Sequence, residues 1–320
     1  MQINKQQLID DFMSRRYLDY YSWGMEEVDK IGGLLTFGRM AIIGGPHGSG
    51  KTTFITELAK TNAQTKPTML IPLEMGEEYT IMMLVCNRFN NRRKFGMEML
   101  SYGDVEEGYL YQRSEEEIEL FKSCVNEVYE NKGQLTIGVP DTNTIGDLIA
   151  YITLHAAKGV RLFVIDHLHQ LDTTIMMPIE EGVENRVGIA NETGFYSQVA
   201  KELKDLAQRL HIALLCVVQL TKSANGIKGD MDLSAFKGTS EFTSNAHRVV
   251  LIKKVGEPKK KSNIEEQMTQ MIAFEKETKN IRELLFLKTR GRIGGPLYVE
   301  MVKGEFEFGK EGYYNFTPKA

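Results

Sequence analysis

RMAIIGGPHGSGKTT, residues 39–53, places an apolar strand, a glycine-rich turn and the start of a helix in one short stretch. Met40 to Ile43 are continuously apolar, the pattern of a strand buried on both faces. Gly45-Pro46-His47-Gly48-Ser49-Gly50-Lys51-Thr52 fits G-x-x-x-x-G-K-[ST], and the helical pattern FITELAK (54–60) follows at once. Glycines allow successive backbone N–H groups to turn inward around phosphate oxygens, and the helix N-terminus adds its positive dipole end. Lys51 supplies a mobile point charge and Thr52 a hydroxyl for magnesium. Gly45 to Thr53 are therefore the candidate contacts to the phosphates of ATP, with Mg2+ as the accompanying ion.

Outward from this stretch, four more apolar runs read as strands: TMLIPL (68–73), QLTIGV (134–139), VRLFVID (160–166) and HIALLCVVQL (211–220). Between them, Val199, Leu203, Leu206 and Leu210 recur at one-face helix spacing, as do Ile145, Leu148, Ile149 and Ile152. Strands alternating with helices predict an α/β fold with a doubly wound, mostly parallel sheet. After residue 245 come RVVLIKK (248–254), RELLFLK (282–288) and PLYVEMV (296–302), expected to extend the sheet as C-terminal antiparallel strands with GRIGG (291–295) as a turn. EPKKKS (257–262) and the polar stretch after it read as a solvated excursion, with a DNA-touching arm as the alternative. Leu8, Ile9, Phe12 and Met13 mark a short amphipathic helix. The expected organisation is a linker helix and connector over residues 1–21 and one ATPase domain over 22–320.

Composition sets the outer limits. With 42% apolar and 26% charged residues the chain can build a sizeable core rather than remain disordered. A net charge of −4 excludes a uniformly basic surface, so any nucleic-acid contact must be a local patch or be assembled from several copies. Cys86, Cys124 and Cys216 are too widely spaced for a zinc site or a disulfide framework, which points to a reducing, cytoplasmic compartment. No apolar run approaches the ~18 residues of a membrane span, and the polar first residues are unlike a signal peptide.

Three further residues complete a candidate hydrolytic site. Asp166 ends an apolar strand, where a carboxylate would bind the magnesium water shell from a strand neighbouring the P-loop strand. His167 follows it, so the base that often sits there must come from elsewhere. Glu74, at the end of the second strand, faces the nucleotide crevice and is the preferred base; Glu77 and Glu78 are rivals that start the next helix, where acidic residues complement the dipole. Gln219 ends another strand and could sense the terminal phosphate. The glycine-, serine- and lysine-rich segment after it has the composition of a ligand-facing loop.

Taken in order, GGPHGSGKTT, PLEM, LFVIDHLHQLD, VAKELKDLAQRL with VVQL, FKGTSEFTSNAHRVVLI and LKTRGR resemble the DnaB-type replicative helicases, from about Ser22 to the end. The resemblance is close to helicase domains of phages and to the mitochondrial helicase. It implies a RecA-like P-loop NTPase fold, a homohexameric ring around single-stranded DNA, ATP bound between subunits, and 5′ to 3′ translocation with duplex unwinding. It implies Glu74 as catalytic base, Lys288 and Arg290 as residues reaching the neighbouring subunit's site, with Arg292 as a rival, and Lys237, Gly238, Thr239 and Ser240 as pore-lining DNA contacts. Primase, polymerase or a helicase loader are the implied partners. Val218 and His167 depart from the usual serine and tyrosine, and the sequence is expected to lack the family's large N-terminal domain. The helix around Leu8 to Met13 would be the linker by which each subunit grips its neighbour.

Overall fold

A computed structural model describes residues 20–131, 133–172, 175–176, 186–187, 192–220, 240–254, 281–289, 296–302 and 305–307, with isolated positions before residue 20. Among these residues the centre is a sheet of nine strands. In chain order the strands of this sheet are β3 (Arg39–Gly45), β4 (Thr68–Pro72), β5 (Leu135–Ile137), β6 (Leu162–Asp166), β9 (Ala213–Gln219), β10 (Arg248–Lys254), β11 (Ile281–Thr289), β12 (Pro296–Val302) and β13 (Glu305–Glu307). Two-residue strands β1 (Tyr20–Tyr21) and β2 (Leu35–Thr36), and β7 (Ile175–Met176) and β8 (Arg186–Val187), form two separate pairs. Across the main sheet the order is β13-β12-β11-β10-β3-β9-β6-β4-β5.

The strands from β5 to β10 in that order all run parallel. The antiparallel part begins one strand later than the sequence suggests. RVVLIKK forms β10, parallel to the P-loop strand β3, and only β11, β12 and β13 alternate in direction. The physical reason is connectivity: the chain from β9 to β10 contains a helix, so β10 can return in the same direction, as hairpin strands cannot.

The continuous apolar runs have a direct explanation. Side chains alternate across a strand, and here successive residues serve two different cores. Met40, Ile42, Phe163, Ile165, Leu214 and Cys216 pack on one face, and Ala41, Ile43, Leu162, Val164, Leu215 and Val217 on the other. The first face is covered by α6 (Ile145–Ala157), α7 (Glu192–Leu210) and α8 (Ser240–Asn245); the second by α1 (Glu26–Gly32) and α2 (Lys51–Ala63). Val199, Leu203 and Leu206, the predicted stripe of α7, are all buried, and Leu210 packs against the same core. Thr144 starts α6 by accepting the Asp147 backbone N–H at 3.1 Å, satisfying a donor the helix itself leaves open.

Tyr21 and Trp23 belong to the second core, and the Trp23 indole N–H donates to the Gly33 carbonyl at 2.5 Å, so the packed body extends back to the β1–β2 pair. Between β4 and β5 the chain makes α3 (Gly76–Arg92), α4 (Tyr102–Glu106) and α5 (Glu115–Asn131), which enclose a small core of Val85, Cys86, Phe89, Leu100 and Cys124. Sequence patterning alone does not separate this helical excursion from the main sheet. All three cysteines are free and buried. Among the described residues no helix is long and apolar enough to cross a membrane.

Candidate active site

Parallel strands put all their C-terminal ends on one edge, and the candidate residues gather there. Register pairs Gly45 with Gln219 and Pro72 with Asp166. The P-loop turns off β3 at Gly45, where a Cβ would meet the Ile252 carbonyl oxygen at 2.2 Å and Ser49 Oγ at 2.7 Å, so only glycine fits. Gly50, at φ 90°, occupies a left-handed conformation that glycine adopts without strain and opens α2. The Lys51 ammonium donates to the Gly45 and Pro46 carbonyls, both at 2.9 Å. Burial pulls its pKa down, against the opposing fields of Asp166 and Glu74.

Thr52 Oγ1 donates to Asp166 Oδ2 at 2.7 Å, although the two residues are 114 positions apart. Asp166 does not come from the strand beside the P-loop strand, as the sequence suggested. β9 lies between β3 and β6, and Asp166 reaches Thr52 because it stands at its strand's tip. It is 4% exposed, and burial raises its pKa against the lowering hydrogen bond from Thr52. A hydroxyl and a carboxylate oxygen, close together beside a phosphate cradle, form the oxygen-only donor set that suits a magnesium ion keeping most of its waters.

Glu74 lies just beyond β4, its backbone N–H donating to the Asp166 carbonyl at 3.1 Å. Its Oε2 is 3.1 Å from His167 Nε2, and its side chain is 35% exposed, so the carboxylate borders the crevice. Glu77 and Glu78 occupy the first turn of α3. Gln219 ends β9 with its amide Nε2 2.8 Å from the same His167 nitrogen, and its backbone N–H donates to His169 Nδ1 at 3.3 Å.

The antiparallel extension contributes from both of its ends. Arg282 pairs in register with Lys254, at the P-loop edge, and its Nε donates to the Ser49 carbonyl at 3.0 Å while the side chain is buried. Sequence reading missed this arginine, whose strand pattern gives no hint that it touches a loop 233 positions away. Lys288 pairs with Val249 near the opposite edge and donates to the Thr243 and Ser244 carbonyls at 2.7 and 3.0 Å, at the end of α8. Lys288 is six positions along the strand from Arg282, roughly 20 Å. Arg290, Arg292, Lys237, Gly238, Thr239 and the 255–280 excursion lie outside the described residues; Ser240 opens α8.

His169 was also missed. Desolvation, with the nearby His167, pulls its pKa from 6.5 down to about 4. The unfolded chain therefore takes up the proton first, so this group's contribution is complete above pH 6.5 and is lost as pH falls toward about 4. The full loss amounts to about 3 kcal/mol. His169→Gln is expected to flatten that part of the pH dependence of stability, measured by urea denaturation between pH 7 and pH 4; parallel curves for the two proteins would exclude it.

Comparison with known proteins agrees with this architecture. Residues 22–294 match the model of the DnaB-like helicase C-terminal domain. One solved ATPase domain superposes with a TM-score of 0.70 at 18% identity, over 94% of this chain and 96% of that one. A DnaB-like replicative helicase, solved in a study of its interactions with primase, gives a TM-score of 0.69 at 17% identity, over 96% of this chain and 67% of that one. No curated protein matches the sequence significantly. The matched family spans most of the described sheet and every strand end around the P-loop, and the chain therefore belongs to the DnaB-like helicase C-terminal domain family, as an ATP-hydrolysing helicase with a RecA-like fold.

Proposed function

We propose that the chain is the motor domain of a ring-forming replicative helicase that translocates 5′ to 3′ on single-stranded DNA and unwinds duplex, with ATP held between subunits. The observation that carries this reading is the direction of β11. Arg282 stands at the chain's own P-loop edge, whereas Lys288 stands near the far edge, pointing the strand's C-terminal end away from that site. On that ground we assign a cation that follows Lys288 in sequence, with Arg290 foremost, to a phosphate in a second copy of the chain. Such a cation, preorganised where negative charge develops, accelerates phosphoryl transfer without itself reacting.

Within one subunit, the P-loop N–H groups and the α2 N-terminus bind the phosphates. Lys51 leaves the Gly45 and Pro46 carbonyls to meet them. Thr52 and Asp166 would hold Mg2+, which when bound neutralises phosphate charge. Glu74 orients the attacking water and takes its proton. Gln219 senses the terminal phosphate and passes its loss to the segment that follows, where Lys237, Gly238, Thr239 and Ser240 contact the DNA backbone. Small residues and one lysine favour sequence-independent phosphate contact, and six copies concentrate a charge that the net-negative chain conceals. Primase, polymerase or a loader are the partners this role calls for, and the cytoplasm its place.

Electron microscopy with magnesium, a slowly hydrolysed ATP analogue and a single-stranded oligonucleotide tests the assembly, and displacement from duplexes with a 5′ or a 3′ tail tests the polarity. A closed six-fold ring that opens only 5′-tailed substrates supports the reading. A helical filament, or a ring without displacement, identifies a DNA-stimulated ATPase instead. Lys237→Ala is expected to weaken single-strand binding and to reduce the slope of log affinity against log salt by about 0.7 for each phosphate no longer neutralised; an unchanged slope places the DNA-binding surface elsewhere.

A further inference from the structure

His167 is 3% exposed, and its Nε2 faces two functional side chains at once: Glu74 Oε2 at 3.1 Å and the Gln219 amide at 2.8 Å. A neutral ring nitrogen carries either one proton or one in-plane lone pair, so it makes one full-strength hydrogen bond, not two. Next to a carboxylate oxygen the proton belongs on Nε2, since two acceptors facing each other repel. The Gln219 amide nitrogen that stands at 2.8 Å is a donor and cannot share that proton; Gln219 competes for it once its amide turns over to present the oxygen. Its backbone is held separately, by His169 Nδ1 at 3.3 Å, so rotation of the side chain alone exchanges the partners.

We propose that His167 is a positioning residue whose Nε2 takes Glu74 and Gln219 as alternative partners, so that the glutamine's position sets the orientation of the glutamate. When the Gln219 amide turns toward a terminal phosphate, the imidazole N–H belongs to Glu74 alone and fixes its carboxylate for work on water. When the amide returns, the carboxylate loses that anchor. Gln219 ends β9, the last described strand before the candidate DNA contacts Lys237 to Ser240 in sequence, so DNA binding acts on the base through this one ring.

The inference rests on Glu74 as the base. The test is steady-state ATP hydrolysis by His167→Leu, His167→Gln and His167→Asn in the full chain, with and without single-stranded oligonucleotide, beside Glu74→Gln. His167→Leu is expected to lose about tenfold in kcat with KM for ATP within about twofold, and to lose most of any DNA stimulation. His167→Gln, which returns an N–H near the Nε2 position, is expected to recover at least about half of kcat. His167→Asn places its N–H near Nδ1, which has no hydrogen-bond partner among the described residues, and is expected to resemble the leucine variant. If the leucine variant does not fold, the glutamine and asparagine pair decides. Normal kcat in His167→Leu, equal activity in the amide pair, or KM rising in step with lost kcat overturns the proposal while leaving the base assignment standing. Normal turnover in Glu74→Gln overturns both. A wild-type chain that DNA does not stimulate counts against the helicase reading, and the kcat comparison still decides the role of His167.

Discussion

Glu74→Gln is expected to lower kcat for ATP hydrolysis by roughly 10²–10⁴-fold while leaving the affinity for ATP within about threefold. The amide has the same size and reach as the carboxylate but cannot accept a proton from water. None of the hydrogen bonds that form the phosphate site is touched: Lys51 to the Gly45 and Pro46 carbonyls, Thr52 to Asp166, and Arg282 to Ser49. A thousandfold loss corresponds to about 4 kcal/mol of transition-state stabilisation, well beyond what a displaced surface side chain accounts for. Single-turnover hydrolysis with pre-bound ATP, paired with fluorescent-nucleotide binding, separates the two effects. Turnover within tenfold of wild type would move the base to Glu77 or Glu78, in the first turn of α3.

Lys51→Ala is expected to reduce hydrolysis about 10³-fold or more and, unlike Glu74→Gln, to weaken nucleotide binding as well. The ammonium is the one side-chain cation that the P-loop itself carries, and it is held against loop carbonyls at 2.9 Å, ready to exchange them for phosphate oxygens. Removing it leaves the backbone N–H groups and the α2 dipole in place, so residual binding is expected. The freed carbonyls can turn to water, so folding stability should change by no more than about 1 kcal/mol. Isothermal titration with a slowly hydrolysed analogue, alongside urea denaturation, checks both. Affinity equal to wild type would show that the backbone cradle alone carries the phosphates.

Strands β3, β4, β6 and β9 were legible because burial on both faces forces nearly continuous apolar runs, and no other common element writes that pattern in so few residues. The P-loop was legible because its glycines answer to steric demands, as at Gly45, where a carbonyl stands in the way of any side chain. Three things were not legible. The direction of β10 depends on its connection rather than its composition, so RVVLIKK looked the same in either sense. The separation of Asp166 from the P-loop strand depends on β9 being inserted between them, which no local run records. Arg282, His167 and His169 act through partners far away in sequence, and each alone looks like an ordinary strand or turn residue.

By itself, then, the sequence determined the buried strands of the parallel sheet, the P-loop with the helix that follows it, and which acidic residues stand at strand ends. These are consequences of short-range chemistry: periodic burial, glycine's freedom at φ 90°, and the needs of a helix N-terminus. Only the tertiary structure decided which strand lies beside which, and with it that Thr52 meets Asp166 at 2.7 Å, that one imidazole nitrogen faces both Glu74 and Gln219, and that β11 leads away from its own P-loop. Strand order is fixed by the packing of the whole sheet, a sum over many distant interactions, and no window of residues 39–53 contains it.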